Sequence, residues 1–219
     1  MANPSQLRAD GSFVLSYMGL RKAVGIIGIA LPLVLVIGKY IIDGPGIEIS
    51  ISHYYHTAMR DVLVGSLCAI ALFLMSYRGY ERTDDIAGDL ACIFAIGVAL
   101  FPTTPDHGAT ENDKVIGALH LGFAAAFFLT LAFFSLVLFR KRDMTKAPTP
   151  RKVLRNHVYT VCGCTILGCI VLIAIVSLLS PELPIKRLTP VFWLEAIAIW
   201  AFGWSWFTKG EGILKDRET

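Results

Sequence analysis

The chain has 219 residues, 55% of them hydrophobic, and a mean hydropathy of +0.61. A soluble domain is nearer about 45–50% apolar, so a wholly water-facing globule is excluded and membrane lipids are the expected surroundings. The net charge of +3 is too small for a binder of polyanions, and no nucleic acid is expected as a partner.

A hydrocarbon core of roughly 30 Å needs about 20 apolar residues per helix. Six runs approach this, at 24–42, 59–77, 85–101, 115–139, 159–179 and 190–207. The expected fold is therefore all-α, one polytopic membrane domain over 1–219 built as a single bundle of six transmembrane helices. The first run follows Arg21 and Lys22 and is too long for a signal-peptide core, so it is expected to stay as the first span. Pro32 inside it removes a backbone hydrogen bond and predicts a kink.

The second run is introduced by a turn, Asp43-Gly44-Pro45-Gly46, and by the stretch ISHYYHTAMRD at 51–61. Ile47 to Ser52 alternates apolar and polar residues, which predicts a short extended segment. A helix starting near His53 would put His53 and His56 on one face with Arg60 a turn further, and Thr57 and Asp61 on a neighbouring face. Tyr54 and Tyr55 suit the aromatic belt at headgroup level.

The third run opens on Asp85 and Asp89 and ends in Pro102-Thr103-Thr104-Pro105-Asp106-His107. His120 lies about a turn and a half inside the fourth. A basic loop from Arg140 to Arg155 precedes the fifth; it reads as a topology anchor, with anionic headgroups as a second use. The sixth run is interrupted by Glu195 and carries Trp193, Trp200, Trp204 and Trp206, of which the last two are expected to ring its inner end. Glycines 25, 28, 65, 88, 97, 117 and 122, with Ala124–Ala126, are expected where helices approach closely; none forms a dimer motif. Cys68, Cys92, Cys162, Cys164 and Cys169 all fall in apolar runs and read as small core residues without disulfides.

Lysine and arginine placement sets the orientation. With the N-terminus inside, 15 fall on the cytoplasmic side, in the segments around Arg8–Lys22, Arg78–Arg82, Arg140–Arg155 and Lys209–Arg217. Five fall outside: Lys39, Arg60, Lys114, Lys186 and Arg187. Both termini are expected in the cytoplasm.

Ionisable groups within spans are costly and usually face the bundle interior. The expected site is thus an outer-half polar pocket in which Asp61, His120 and Glu195 converge, with His56 and Arg60 at the rim. His53, His56 and His120 are the candidate metal ligands, zinc being the metal that histidines with a carboxylate would suit. No cofactor is named by the residues. A lipid-interacting or structural membrane protein is the leading reading. A small-solute, proton or ion transporter or channel-like protein, a membrane-stress sensor and a metal-dependent membrane lipid hydrolase are the alternatives. No GxSxG, HExxH or P-loop motif occurs.

Two resemblances bear on these readings. The patterns SxYYxTxxRD, RGYERxDDIAGxLAxxFAxGVALFPT and PVFWLE…WAFGxSWxxKGE resemble a family of uncharacterised bacterial six-span integral membrane proteins over nearly the whole chain. That implies the fold and an inner-membrane location, and no activity. Ser52 and His56 ahead of a carboxylate are also similar, over about ten residues, to the membrane hydrolase superfamily of alkaline ceramidases and progestin-receptor-like proteins. There a HxxxH pair in the last helix completes a zinc site; this chain has none and offers Glu195 instead.

Overall fold

The structure, a computed structural model, describes residues 4–77, 79, 81–141, 149–180 and 182–215, with side chains from Tyr17 onward. Arg78, Arg142, Lys146 and Arg217 of the cation count, and the Arg8 side chain, lie outside the described residues.

The described chain is all-helical, with six α-helices and no strand. They are α1 (Pro4–Ile42), α2 (Arg60–Met75), α3 (Arg82–Leu100), α4 (Glu111–Phe133), α5 (Pro150–Leu178) and α6 (Pro190–Lys209). A π-helical turn, Phe134–Leu138, prolongs α4, and short 3-10 turns occupy Ser52–His56 and Pro184–Leu188.

Capping chemistry fixes several starts. Glu81 and Asp84 form a reciprocal box at α3, as Thr110 and Asp113 do at α4, where the Thr110 Oγ1 accepts from the Asp113 amide at 3.2 Å. Each box satisfies amides that the first helical turn leaves without partners. Thr149 accepts from the Lys152 amide ahead of Pro150, the first residue of α5.

Four helices are long and apolar enough to cross a membrane: α1 from Tyr17, α4 with its π turn, α5 and α6. The other two fall short of the six-span expectation for separate reasons. The 16 residues of α2 extend only about 24 Å at a rise of ~1.5 Å per residue. In α3, Asp84, Asp85 and Asp89 occupy the first two turns.

The helices pack as a ring in chain order, each on the next, and α6 closes on α1. Loops gather at alternate ends. At one end the Phe192 amide bonds the Ile49 carbonyl and His56 reaches the Thr103 carbonyl. At the other, Lys141 bridges to Glu81 and Asp84, and Arg155 donates to the Leu214 carbonyl. Arg21 of α1, Tyr77, Glu81, Lys141, Lys152 and the end of α6 thus share one end of the bundle.

Small residues let backbones meet. A Cβ at Gly203 would lie 2.9 Å from the Gly25 carbonyl oxygen on α1, and one at Gly88 2.7 Å from the Leu74 carbonyl on α2. Nothing lies within 4 Å of such an atom at Gly65 or Gly122, so these two are not packing positions. Nor does Trp206 ring the inner end: it is 1% exposed, within a cluster of Tyr77, Phe134, Phe139 and Phe202. Trp204 does face outward.

Candidate functional site

Helix α2 begins at Arg60, later than the pattern of 51–61 suggests. Thr57 is extended (φ −118°, ψ 174°), its hydroxyl donates to the Tyr54 carbonyl at 2.8 Å, and the Met59 amide donates to it. These local bonds stop the 3-10 turn before the helix starts. Its three-residue period still stacks positions i and i+3, and the His53 and His56 ring centres are 6.1 Å apart. Ile47 and Ile49 face outward while Ile51 is buried, so the expected alternating strand is an irregular lead-in.

Within this lead-in, the buried Ser50 hydroxyl meets His53 Nδ1 at 2.8 Å and accepts from the His53 amide at 3.2 Å. His53 Nε2 lies 3.3 Å from the Asp106 carboxylate. Burial lowers the His53 pKa, against the raising effect of Asp106. The ring therefore ties the 51–61 stretch to the loop after α3 in its neutral form.

Beneath lies the roof of an interior cavity. His120 on α4 is buried, with Nδ1 2.6 Å from the Phe101 carbonyl and Nε2 2.9 Å from the Ser52 hydroxyl. A carbonyl can only accept, so Nδ1 carries the hydrogen of a neutral ring and Nε2 accepts from Ser52. Glu195 on α6 accepts the Ile51 amide through Oε2 at 2.6 Å, and the Ser52 amide also faces that carboxylate. Both amides belong to a turn whose own helical partners are missing, which explains why a carboxylate is found there.

Below the roof the walls are apolar. Leu31, Leu63, Leu67, Ile70, Phe127, Leu131 and Phe202 line the cavity with Tyr55 and Pro102 near the top. It offers about 50 Å³ to the centre of a water molecule, where one water needs roughly 10–15 Å³, so it is several waters large. From His120 to Leu131 it follows α4 for about 16 Å. Helix α5 contributes no lining residue.

Of the expected pocket, His120 and Glu195 are brought together. Asp61 is not: it sits exposed in the first turn of α2 without a partner among the described residues. A carboxylate at a helix N-terminus is favoured there by the macrodipole and needs no burial. Arg60 touches the rim only through Tyr55, donating to its hydroxyl at 2.8 Å and stacking 4.5 Å over its ring. His56 is exposed, and its Nε2 donates to the Thr103 carbonyl at 2.8 Å. The three candidate metal histidines share no partner: His53 meets Ser50 and Asp106, His56 meets Thr103, and His120 meets Phe101 and Ser52. Among the described residues no group of three or more His, Cys, Asp or Glu is placed to hold a metal ion.

Ser50 and Phe101 are the functional neighbours that sequence patterns did not single out; Ser52 was read beside His56, and Asp106 only as part of the loop after the third run. Serines are common in loops, and backbone carbonyls carry no sequence signal. The Ser52–His120 geometry is that of a hydroxyl beside an oriented base, the arrangement that activates a nucleophile. The two amides nearest that hydroxyl are held by Glu195, where an oxyanion would otherwise be received.

Comparison with protein-family models, curated proteins and solved structures gives no match to this chain. What fold and site define is a class: an all-helical bundle with four membrane-length apolar helices and an interior cavity that is polar at one end.

Proposed function

We propose that this protein is a six-span bacterial inner-membrane protein, with both termini in the cytoplasm, that binds a single-chain amphiphile inside its bundle. The observation that carries the reading is the cavity. Its apolar length suits a hydrocarbon chain, and Ser52, His120 and Glu195 present a hydroxyl oxygen, an oriented ring and a carboxylate where a polar head would lie. Pockets of mostly apolar wall with a few placed polar groups are the usual form of small-molecule sites. The cation distribution supports the orientation, and the resemblance of the three motifs supports the location.

Lipid extraction and mass spectrometry of the detergent-purified protein test the binding. Wild type is expected to retain one amphiphile. Ala99→Phe, which fills the wall from a buried lining position, is expected to lose it while keeping its helicity. Equal retention by both would overturn the reading.

One observation favours a second reading, hydrolysis of an ester held in the cavity. It is the Ser52–His120 hydrogen bond with the ring locked by Phe101. A fluorophosphonate probe is expected to modify Ser52 and to leave Ser52→Ala unlabelled; an unlabelled wild type would remove this reading. Transport loses one of the two carboxylates on which it rested, since Asp61 faces outward.

A further inference from the structure

At the end of the bundle where α6 finishes, cations from three helices converge on one aromatic floor. Tyr77, Phe139, Tyr159 and Trp206 form that floor, with Phe139 at its centre: its ring lies 5.4 Å from that of Tyr159, 5.1 Å from that of Trp206 and 6.3 Å from that of Tyr77. Arg21 of α1 sits over the Tyr77 ring at 5.4 Å and over Tyr17 at 4.2 Å. Lys209, the last residue of α6, lies 5.4 Å over Phe139. Lys152 of α5 donates to the Phe139 carbonyl at 3.0 Å and lies 5.9 Å over Tyr159. Arg155, one turn further along α5, donates to the Leu214 carbonyl.

Among the described residues, Arg21, Lys152 and Arg155 face Lys209 with the same sign and Asp84 with the opposite one, and Glu211 carries the opposite sign near Tyr159. Asp84 Oδ2 lies 2.9 Å from Lys141. Lys209 and Arg21 make no ion pair among the described residues, and the buried Arg21 Nε has no acceptor. Half-buried like charges repel each other more strongly than they would in water. The positive-inside rule asks for cations at this end of the molecule, but it does not ask that they turn inward onto one floor.

We propose that this cluster is a phosphate-binding site, most simply occupied by the headgroup phosphate of an anionic lipid. A phosphate offers several acceptor oxygens and can serve Arg21 and Lys209 at once, as a carboxylate with two oxygens does less well. Guanidinium supplies a planar fork to such an anion and ammonium a point charge. The site lies where helices end, at the level at which the cytoplasmic leaflet presents its negative headgroups. Its floor residue Trp206 packs on Phe202, which lines the inner part of the cavity.

Binding is read by native mass spectrometry and by thermal unfolding of wild type and of Arg21→Gln and Lys209→Gln. The probes are phosphatidylglycerol, phosphatidylcholine and inorganic phosphate. Phosphatidylglycerol is expected to bind wild type in preference to phosphatidylcholine and to raise its unfolding temperature. Each variant is expected to weaken that binding about tenfold, the size of one charge-assisted hydrogen bond. Lys186→Gln, at the opposite end, is expected to leave it unchanged. Competition by inorganic phosphate would assign the site to phosphate as such; resistance to it, with phosphatidylglycerol still preferred, would assign it to the lipid headgroup. Equal binding of the two lipids by wild type, with no effect of phosphate, would overturn the proposal without any variant having to fold. So would Gln variants that bind phosphatidylglycerol as wild type does, or a Lys186→Gln that weakens it equally.

Discussion

At the scale of the residue, His120 links three segments: its own helix, the Phe101 carbonyl after α3 and the Ser52 hydroxyl before α2. Removing the ring leaves a buried carbonyl without its donor, which costs about 1–3 kcal/mol. His120→Phe is therefore expected to lower stability by that amount, and Ser52→Ala by less. The double variant should be less destabilised than the sum, with a coupling of about 0.5–3 kcal/mol; strict additivity in detergent unfolding curves would show that the bond contributes nothing. His53 gives a pH-dependent counterpart. Its folded pKa lies below the ordinary ~6.5 because burial disfavours the charged ring, so the folded protein binds its proton later than the unfolded chain. Stability from this group is present above about pH 6.5 and lost as pH falls through the lower folded value. Protection of the amides across 50–57, relative to their intrinsic exchange rates, should fall between neutral and mildly acidic pH, and His53→Gln should flatten that response; an unchanged slope would count against it. Legibility at this scale was uneven. His120 and Glu195 stood out because ionisable groups are costly in apolar runs. Asp61 misled for the same reason, since two residues decide whether a carboxylate falls inside a helix or at its exposed N-terminus. Ser52 was noticed beside His56, but its partner is 68 positions away.

At the scale of the element, the apolar runs located all six helices, and their ends are where expectation and structure part. Signals for starts were written in side chains, as with Thr110 and Pro150, whereas the delayed start of α2 rests on local bonds of Thr57 that no periodicity reports. Glycine was read by composition alone, which finds small residues but not the face they occupy. Gly65 and Gly122 face away from other helices, while Gly203, which composition passed over, forms half of the α1–α6 contact. A methyl group there would meet backbone, the Gly25 carbonyl oxygen and the Ile29 amide nitrogen both at 2.9 Å. Backbone cannot yield as a flexible side chain does, so Gly203→Ala is expected to separate the two helices and cost about 1–3 kcal/mol. Gly65→Ala, with nothing to strike, should be neutral or slightly stabilising by virtue of helix propensity. Thermal unfolding of the two variants in one detergent decides it; equal midpoints would mean that the α1–α6 contact does not depend on the glycine.

At the scale of the whole molecule, the open question is the number of crossings, and the ring packing bears on it directly. Four helices are long and apolar enough to cross, and a hairpin of α2 and α3 that failed to do so would leave the same outer loops and the same chain ends. The two arrangements differ at one connection. Tyr77, just before it, packs on Phe134 and Trp206, and Lys141 reaches Glu81 and Asp84 just after it. Tyr77 and Glu81 therefore lie level with Lys141 and the end of α6, the arrangement that the proposed six spans require. In that proposal the Ser52–His56 turn and its lead-in make up for the shortness of α2, and Asp84 of α3 sits at the opposite end, where Lys141 meets it. Single cysteines at His107, Ser76 and Thr219, in a background lacking the five native thiols, separate the cases. An impermeant maleimide applied to intact cells is expected to label His107→Cys, and to label Ser76→Cys and Thr219→Cys only after permeabilisation. Labelling of Ser76→Cys in intact cells, with Thr219→Cys still protected, would reduce the protein to four spans. Labelling of Thr219→Cys in intact cells would invert it, and with it the side of the membrane on which the cation cluster lies.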